Sequence, residues 1–152
     1  MFEDRLEEAS EILNELLVLE PMNAEVHAQQ ANLYSKMNKH HRAIELLQYA
    51  LTLTDDASNI YALIAMEYLY VEDYTNAKNY FIKCLEKDPQ DYTALQQLVF
   101  CYEVLGDVQE ATSFLNHYLD QNPYCEVAWY YLGRLYLAIG DYKNALRCLD
   151  FA

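Results

Sequence analysis

The chain has 152 residues, 53% of them hydrophobic, with only three glycines and three prolines. That is ample material for a core, it argues against a disordered chain, and it disfavours a loop-rich or β-rich fold relative to long helices. A formal net charge of −14 repels phosphate backbones and anionic lipid surfaces, so nucleic acid and membrane surfaces are poor partners.

In chain order, the apolar spacing predicts a first helix over Phe2–Leu19, with Leu6, Ala9, Leu13 and Leu16 in register. Glu3, Asp4, Glu7, Glu8, Glu11 and Glu15 crowd this segment, opposed only by Arg5. Acids near a helix N-terminus suit the macrodipole. The stretch reads either as a solvated outer face or as a docking site for a basic segment, whose binding would weaken with salt. From residue 24 the chain repeats, with full units at 24–57, 58–91 and 92–125 and a partial one at 126–152. The last is the clearest: Trp129-x2-Leu132-Gly133-x2-Tyr136, then Gly140-Asp141-Tyr142, then Ala145-x3-Leu149. It predicts a helix A of about 13 residues, here Glu126–Ala138, a turn of about three residues, and a helix B.

Columns spaced by 34 residues carry the repeat. Ala9, Ala43, Ala77, Ala111 and Ala145 form one, and Tyr34, Tyr68, Tyr102 and Tyr136 another. Leu13, Leu47, Phe81, Leu115 and Leu149 form a third, and Pro21, Asp55, Pro89 and Pro123 a fourth. His27, Tyr61, Leu95 and Trp129 align at the head of each unit, followed by Ala31, Ala65, Val99 and Gly133. Small residues on helix A facing the alanine column on helix B would let the two axes approach closely. Proline ends helix B and turns the chain. Gly106 and Gly140 suit positive φ at the A-to-B turn, where Asn38 and Glu72 stand in the first two units and should be less favourable.

These columns resemble the W-x2-L-G-x2-Y, A-x3-F and P pattern of the tetratricopeptide repeat family over nearly the whole chain. The resemblance implies an all-α, right-handed superhelical α-solenoid of antiparallel helix hairpins, about nine helices in a single array over 1–152, the segment 2–20 being a lone B-type helix. It also implies a binding scaffold without chemistry of its own. In such arrays positions 2, 5, 9 and 12 of helix A face an inner, concave wall. Carried onto this sequence, they give Glu25, Ala28, Asn32 and Ser35; Asn59, Ala62, Met66 and Leu69; Thr93, Gln96, Phe100 and Glu103; Val127, Tyr130, Arg134 and Leu137. Met66, Leu69, Phe100 and Tyr130 are candidate apolar anchors, though each could simply pack between neighbouring A helices. Asn32, Asn59 and Gln96 could bond a peptide backbone. Arg134 could take a carboxylate, with Glu103 as its internal mate. No lysine lies on this face, which argues against the carboxylate clamp that some members use; an extended or helical segment with apolar anchors fits better.

Other residues carry plainer readings. Cys84, Cys101, Cys125 and Cys148 match no zinc spacing and read as free thiols of a reducing, cytoplasmic compartment, with disulfides as the alternative. His40-His41 reads as a solvated helix start with no carboxylate in register, His27 as a half-buried packing residue, and His117 as unpaired. Glu67 and Glu103 lack a converging His, Lys or phosphate loop, which argues against catalysis. No metal or cofactor is expected, and no apolar run reaches the about 18–20 residues that span a bilayer. The sequence thus predicts a protein or peptide partner in the groove. The alternative is a structural or oligomerisation segment of a larger repeat protein, assembling through uncapped ends, with a homo-oligomer as one form.

Overall fold

The structure, a computed structural model, describes residues 2–19, 23–55 and 57–151; Pro21 and the side chains of Phe2, Glu3 and Asp4 lie outside the described residues. Nine α-helices and no strand occur among the described residues. The chain divides into two compact units, Met1–Lys87 and Asp88–Ala152. The first holds α1 (Phe2–Leu19), α2 (Ala24–Lys36), α3 (His40–Leu51), α4 (Ser58–Tyr70) and α5 (Tyr74–Lys87). The second holds α6 (Tyr92–Leu105), α7 (Val108–Gln121), α8 (Glu126–Ala138) and α9 (Tyr142–Phe151).

The turns show why these sequences make hairpins. The αL position after helix A is filled by Gly106 at φ +75° and Gly140 at φ +80°, and by Asn38 at +62° and Glu72 at +61° in the other two hairpins. The following amide then bonds back to the carbonyl of the tyrosine column: Lys39 to Tyr34 at 2.8 Å, Asp73 to Tyr68 at 2.9 Å, Asp107 to Tyr102 at 3.0 Å, Asp141 to Tyr136 at 2.9 Å. This closes the C-terminal turn of each A helix. Asp73 and Asp141 then cap the next helix, accepting from the amides of Asn76 and Asn144 at 3.2 Å each. At the other end of the unit, Asn23 caps α2 and Asp91 caps α6 through their side chains.

Packing follows the columns. In the first unit, Ala31, Ala43, Ile44, Leu47, Ile60 and Ile64 form one buried cluster among α2, α3 and α4. Ala77 is fully buried in α5, and Phe81 and Cys84 are buried beside it. α1 buries Leu6 and Leu13, and the Gln30 side chain of α2 donates to Asn14 Oδ1. In the second unit, Leu95, Val99, Tyr102, Ala111, Leu115 and Leu132 are buried. Tyr118 of α7 is held by its hydroxyl, which donates to the Pro89 carbonyl, and Trp129 Nε1 donates to the Pro123 carbonyl at 2.8 Å. Gly133 makes a close approach where α8 meets α9: an added Cβ would lie 3.0 Å from Leu149 Cγ and 3.3 Å from Cys148 Cβ, so those side chains would have to give by a few tenths of an ångström.

Two sequence expectations change. His27 is buried rather than half-buried, its ring edge-on to Tyr49 at 4.9 Å between centroids. His40 does have a carboxylate beside it: its Nδ1 lies 2.8 Å from Glu67 Oε2, and its ring lies against Tyr70. The partner sits 27 residues away on α4, beyond the reach of a local pattern. All four cysteines are buried free thiols.

Candidate functional site

Each unit presents an A-helix surface. In the second unit, α6 and α8 pack together. They leave Phe100 46% and Tyr130 49% exposed, although the residues flanking Phe100, Val99 and Cys101, are buried. Gln96, Glu103 and Arg134 are exposed on the same two helices. Arg134 Nη2 donates to Glu103 Oε1, so the expected internal pair forms. The guanidinium carbon lies 5.4 Å from the Tyr131 ring centre, and Tyr131 stands edge-on to Tyr130 at 5.5 Å. The hydrogen bond to Glu103 holds the Arg134 pKa above its ordinary value, against an opposing effect of partial burial. The result is an aromatic and arginine surface whose cation is held in place, the residue types that dominate interface energetics.

In the first unit, α2 and α4 flank an open cavity of ≈ 310 Å³. Glu25, Ala28, Gln29 and Asn32 line it from α2, Leu47 from α3, and Leu63 and Glu67 from α4. Among the sequence candidates, the structure places Asn32 on this cavity. Asn59 is exposed and Met66 and Leu69 are partly exposed on α4, and none of the three lines it. Leu63 and Glu67 were missed as lining residues because they lie one position beyond the expected inward ones, Ala62 and Met66. That single-residue offset is 100° of helix rotation, and side-chain lean across it is not legible in a repeat register. A second hollow of ≈ 270 Å³ in the second unit is lined by Tyr92, Tyr118, Asn122, Tyr124 and Cys125 among others; it lies at loop and helix ends away from the A-helix surface. Among the described residues no cluster of three or more His, Cys, Asp or Glu is arranged to hold a metal ion, and no helix is long and apolar enough to cross a membrane.

Consecutive antiparallel hairpins with small residues at each crossing, and helices that present side chains on a common face, define a helical-repeat scaffold. The chain belongs to the tetratricopeptide repeat family: profiles described as tetratricopeptide repeat match residues 26–61, 68–124 and 127–150. Anaphase-promoting complex subunit 3 of Schizosaccharomyces pombe is 27% identical over 143 residues, covering 94% of this chain and 22% of that protein. The chain spans less than a third of the length of the curated relatives it matches. Among solved structures, MamA superposes with a TM-score of 0.71 at 16% identity, covering 99% of this chain and 88% of MamA. YrrB, a TPR protein described as having an unusual peptide-binding site, superposes with a TM-score of 0.67 at 22% identity, covering 97% of this chain and 76% of YrrB. The structural likenesses establish the fold, an all-α tetratricopeptide solenoid, and membership of the repeat family places the chain among protein-interaction scaffolds.

Proposed function

We propose that the chain binds a peptide or helix of a partner protein along its A-helix faces, by passive recognition and without catalysis. The observation that carries this reading is the half-exposed pair Phe100 and Tyr130 beside the Arg134–Glu103 ion pair. Large rings left in solvent on rigid helices offer contact area at low entropic cost. Asn32, Asn59 and Gln96 supply amides for a partner backbone, and Met66 and Leu69 supply adaptable apolar contact. The peptide-binding site named for YrrB, a structural relative, lends support. The repeats at 24–57, 58–91, 92–125 and 126–152, with the lone helix at 2–20, are read as one array whose partner is protein rather than nucleic acid.

The test is affinity capture of partners with the Phe100→Glu and Tyr130→Glu variants. Capture should drop by about tenfold or more for each, since a charge placed at the centre of an apolar contact costs at least ~1.4 kcal/mol. Undiminished capture by both folded variants would exclude the α6–α8 surface. An assembly role is the second reading, favoured by exposed Ile12, Val18 and Leu19 on α1 and Tyr142 and Leu146 on α9. If partners persist while deletion of those helices abolishes assembly, that reading wins.

A further inference from the structure

We propose that the solvent side of α1 docks a basic amphipathic helix of a partner protein. α1 packs on α2, and its Leu6 and Leu13, seven residues apart, are buried. That contact covers only part of its apolar surface. Ile12, Leu16 and Leu19 follow one another at i, i+4 and i+7, which places them in one stripe along the helix. All three are exposed, Ile12 at 59% and Leu19 at 76%. Single exposed apolar residues are ordinary on a protein surface, but three aligned on one helix face are the pattern by which a helix receives another helix.

The border of the stripe selects the occupant. Glu8 stands four residues before Ile12 and Glu15 three after it, so exposed carboxylates run along one edge of the stripe. Glu7, Glu11 and Glu15 are exposed too and follow one another at i, i+4 and i+8, a like-charge spacing that weakens a helix. Six carboxylates stand against one arginine in α1, and its last turn carries no basic residue, so the partial negative charge of the helix C-terminus adds to theirs. Lysines or arginines laid along that edge would relieve the repulsion while their helix covers Ile12, Leu16 and Leu19. A neutral apolar helix would cover the stripe and leave the repulsion in place. Anionic lipid or nucleic acid would add to it, and a second copy would bring its own net charge of −14 to the contact. The occupant that meets both features has apolar residues at i, i+4 and i+7 and basic residues along one flank.

This surface is separate from Phe100 and Tyr130, which lie on α6 and α8 of the second unit, and its test needs no natural partner. The full chain is titrated with a fluorescent peptide of leucine, alanine and lysine that carries this pattern, and anisotropy is followed. Saturable binding in the micromolar range is expected, weakened about tenfold on raising NaCl from about 0.05 M to about 0.5 M. A scrambled peptide keeps the charge and breaks the apolar stripe, and a second peptide carries glutamate for lysine; both should bind at least about tenfold more weakly. Ile12→Ser with Leu16→Ser should weaken the basic peptide about tenfold, and so should Glu8→Gln with Glu11→Gln and Glu15→Gln. All five positions are exposed, so circular dichroism should show a folded helical chain in each variant. Glu45→Gln with Glu86→Gln and Asp120→Asn removes the same charge from other exposed positions and should change affinity less than about twofold. Equal binding of the scrambled or acidic peptide, an equal loss in that control variant, or affinity unchanged in either α1 variant overturns the proposal. So does a dimer of the chain, seen by sedimentation, that Ile12→Ser with Leu16→Ser dissolves, because the occupant is then a second copy. Phe100→Glu and Tyr130→Glu should bind the peptide as the unaltered chain does, so failure here leaves capture through those rings standing, and loss of that capture leaves the peptide result intact.

Discussion

Glu72 holds a backbone conformation that an L side chain adopts reluctantly, at φ +61°. The left-handed region costs ordinary residues about 1–2 kcal/mol, a cost that glycine, having no Cβ, escapes. Gly106 and Gly140 fill the same position in the second unit. Glu72→Gly should therefore raise stability by about 1 kcal/mol, seen as a higher urea midpoint at unchanged slope. Asn38→Gly should gain less, because asparagine tolerates this region better. A lower midpoint for Glu72→Gly would show that its side chain contributes something beyond the turn. The position was legible in the register of repeats. The positive φ required the closed turn, in which the Asp73 amide bonds the Tyr68 carbonyl.

At the scale of elements, α6 and α7 are held partly by Tyr102, whose ring lies 6.3 Å from that of Phe114. Burial, with smaller contributions from the charges of Glu110 and Asp107, pushes its pKa from 10.0 up to about 12. Below pH 10 the hydroxyl is protonated in both folded and unfolded chains. Between pH 10 and about 12 the unfolded chain releases the proton more readily, so stability falls as pH rises. The urea midpoint should hold steady up to pH 10 and then drop, and Tyr102→Phe should flatten the drop. An equal drop in the variant would assign it to other tyrosines, such as Tyr118, which burial also shifts upward. The tyrosine column was visible as spacing alone. Its burial is not uniform: Tyr102 is buried while Tyr34, Tyr68 and Tyr136 keep partial exposure, a difference set by what packs over each ring.

At the scale of the whole molecule, 24 acids against 10 lysines and arginines make the folded chain repel itself. Salt shortens the reach of that repulsion; the Debye length is about 10 Å at 0.1 M and ~3 Å at 1 M. Raising NaCl towards 1 M should lift the melting temperature by about 2–4 °C, equivalent to ~1 kcal/mol for a chain of this size. A fall would mean that attractive pairs such as Arg134–Glu103 outweigh the net repulsion.

The amino-acid sequence by itself determined the helical hairpins, their 34-residue period and the family, because small, aromatic and turn residues recur at fixed offsets and each offset has a local steric cause. It also brought Arg134 and Glu103 into register, one repeat apart. Only tertiary structure decided that His40 meets Glu67, that Leu63 and Glu67 rather than Met66 line the cavity, and that Phe100 and Tyr130 stay half in water. Those outcomes depend on the rotation of each helix and on the space between neighbours, and a 34-residue repeat constrains neither to the width of a side chain.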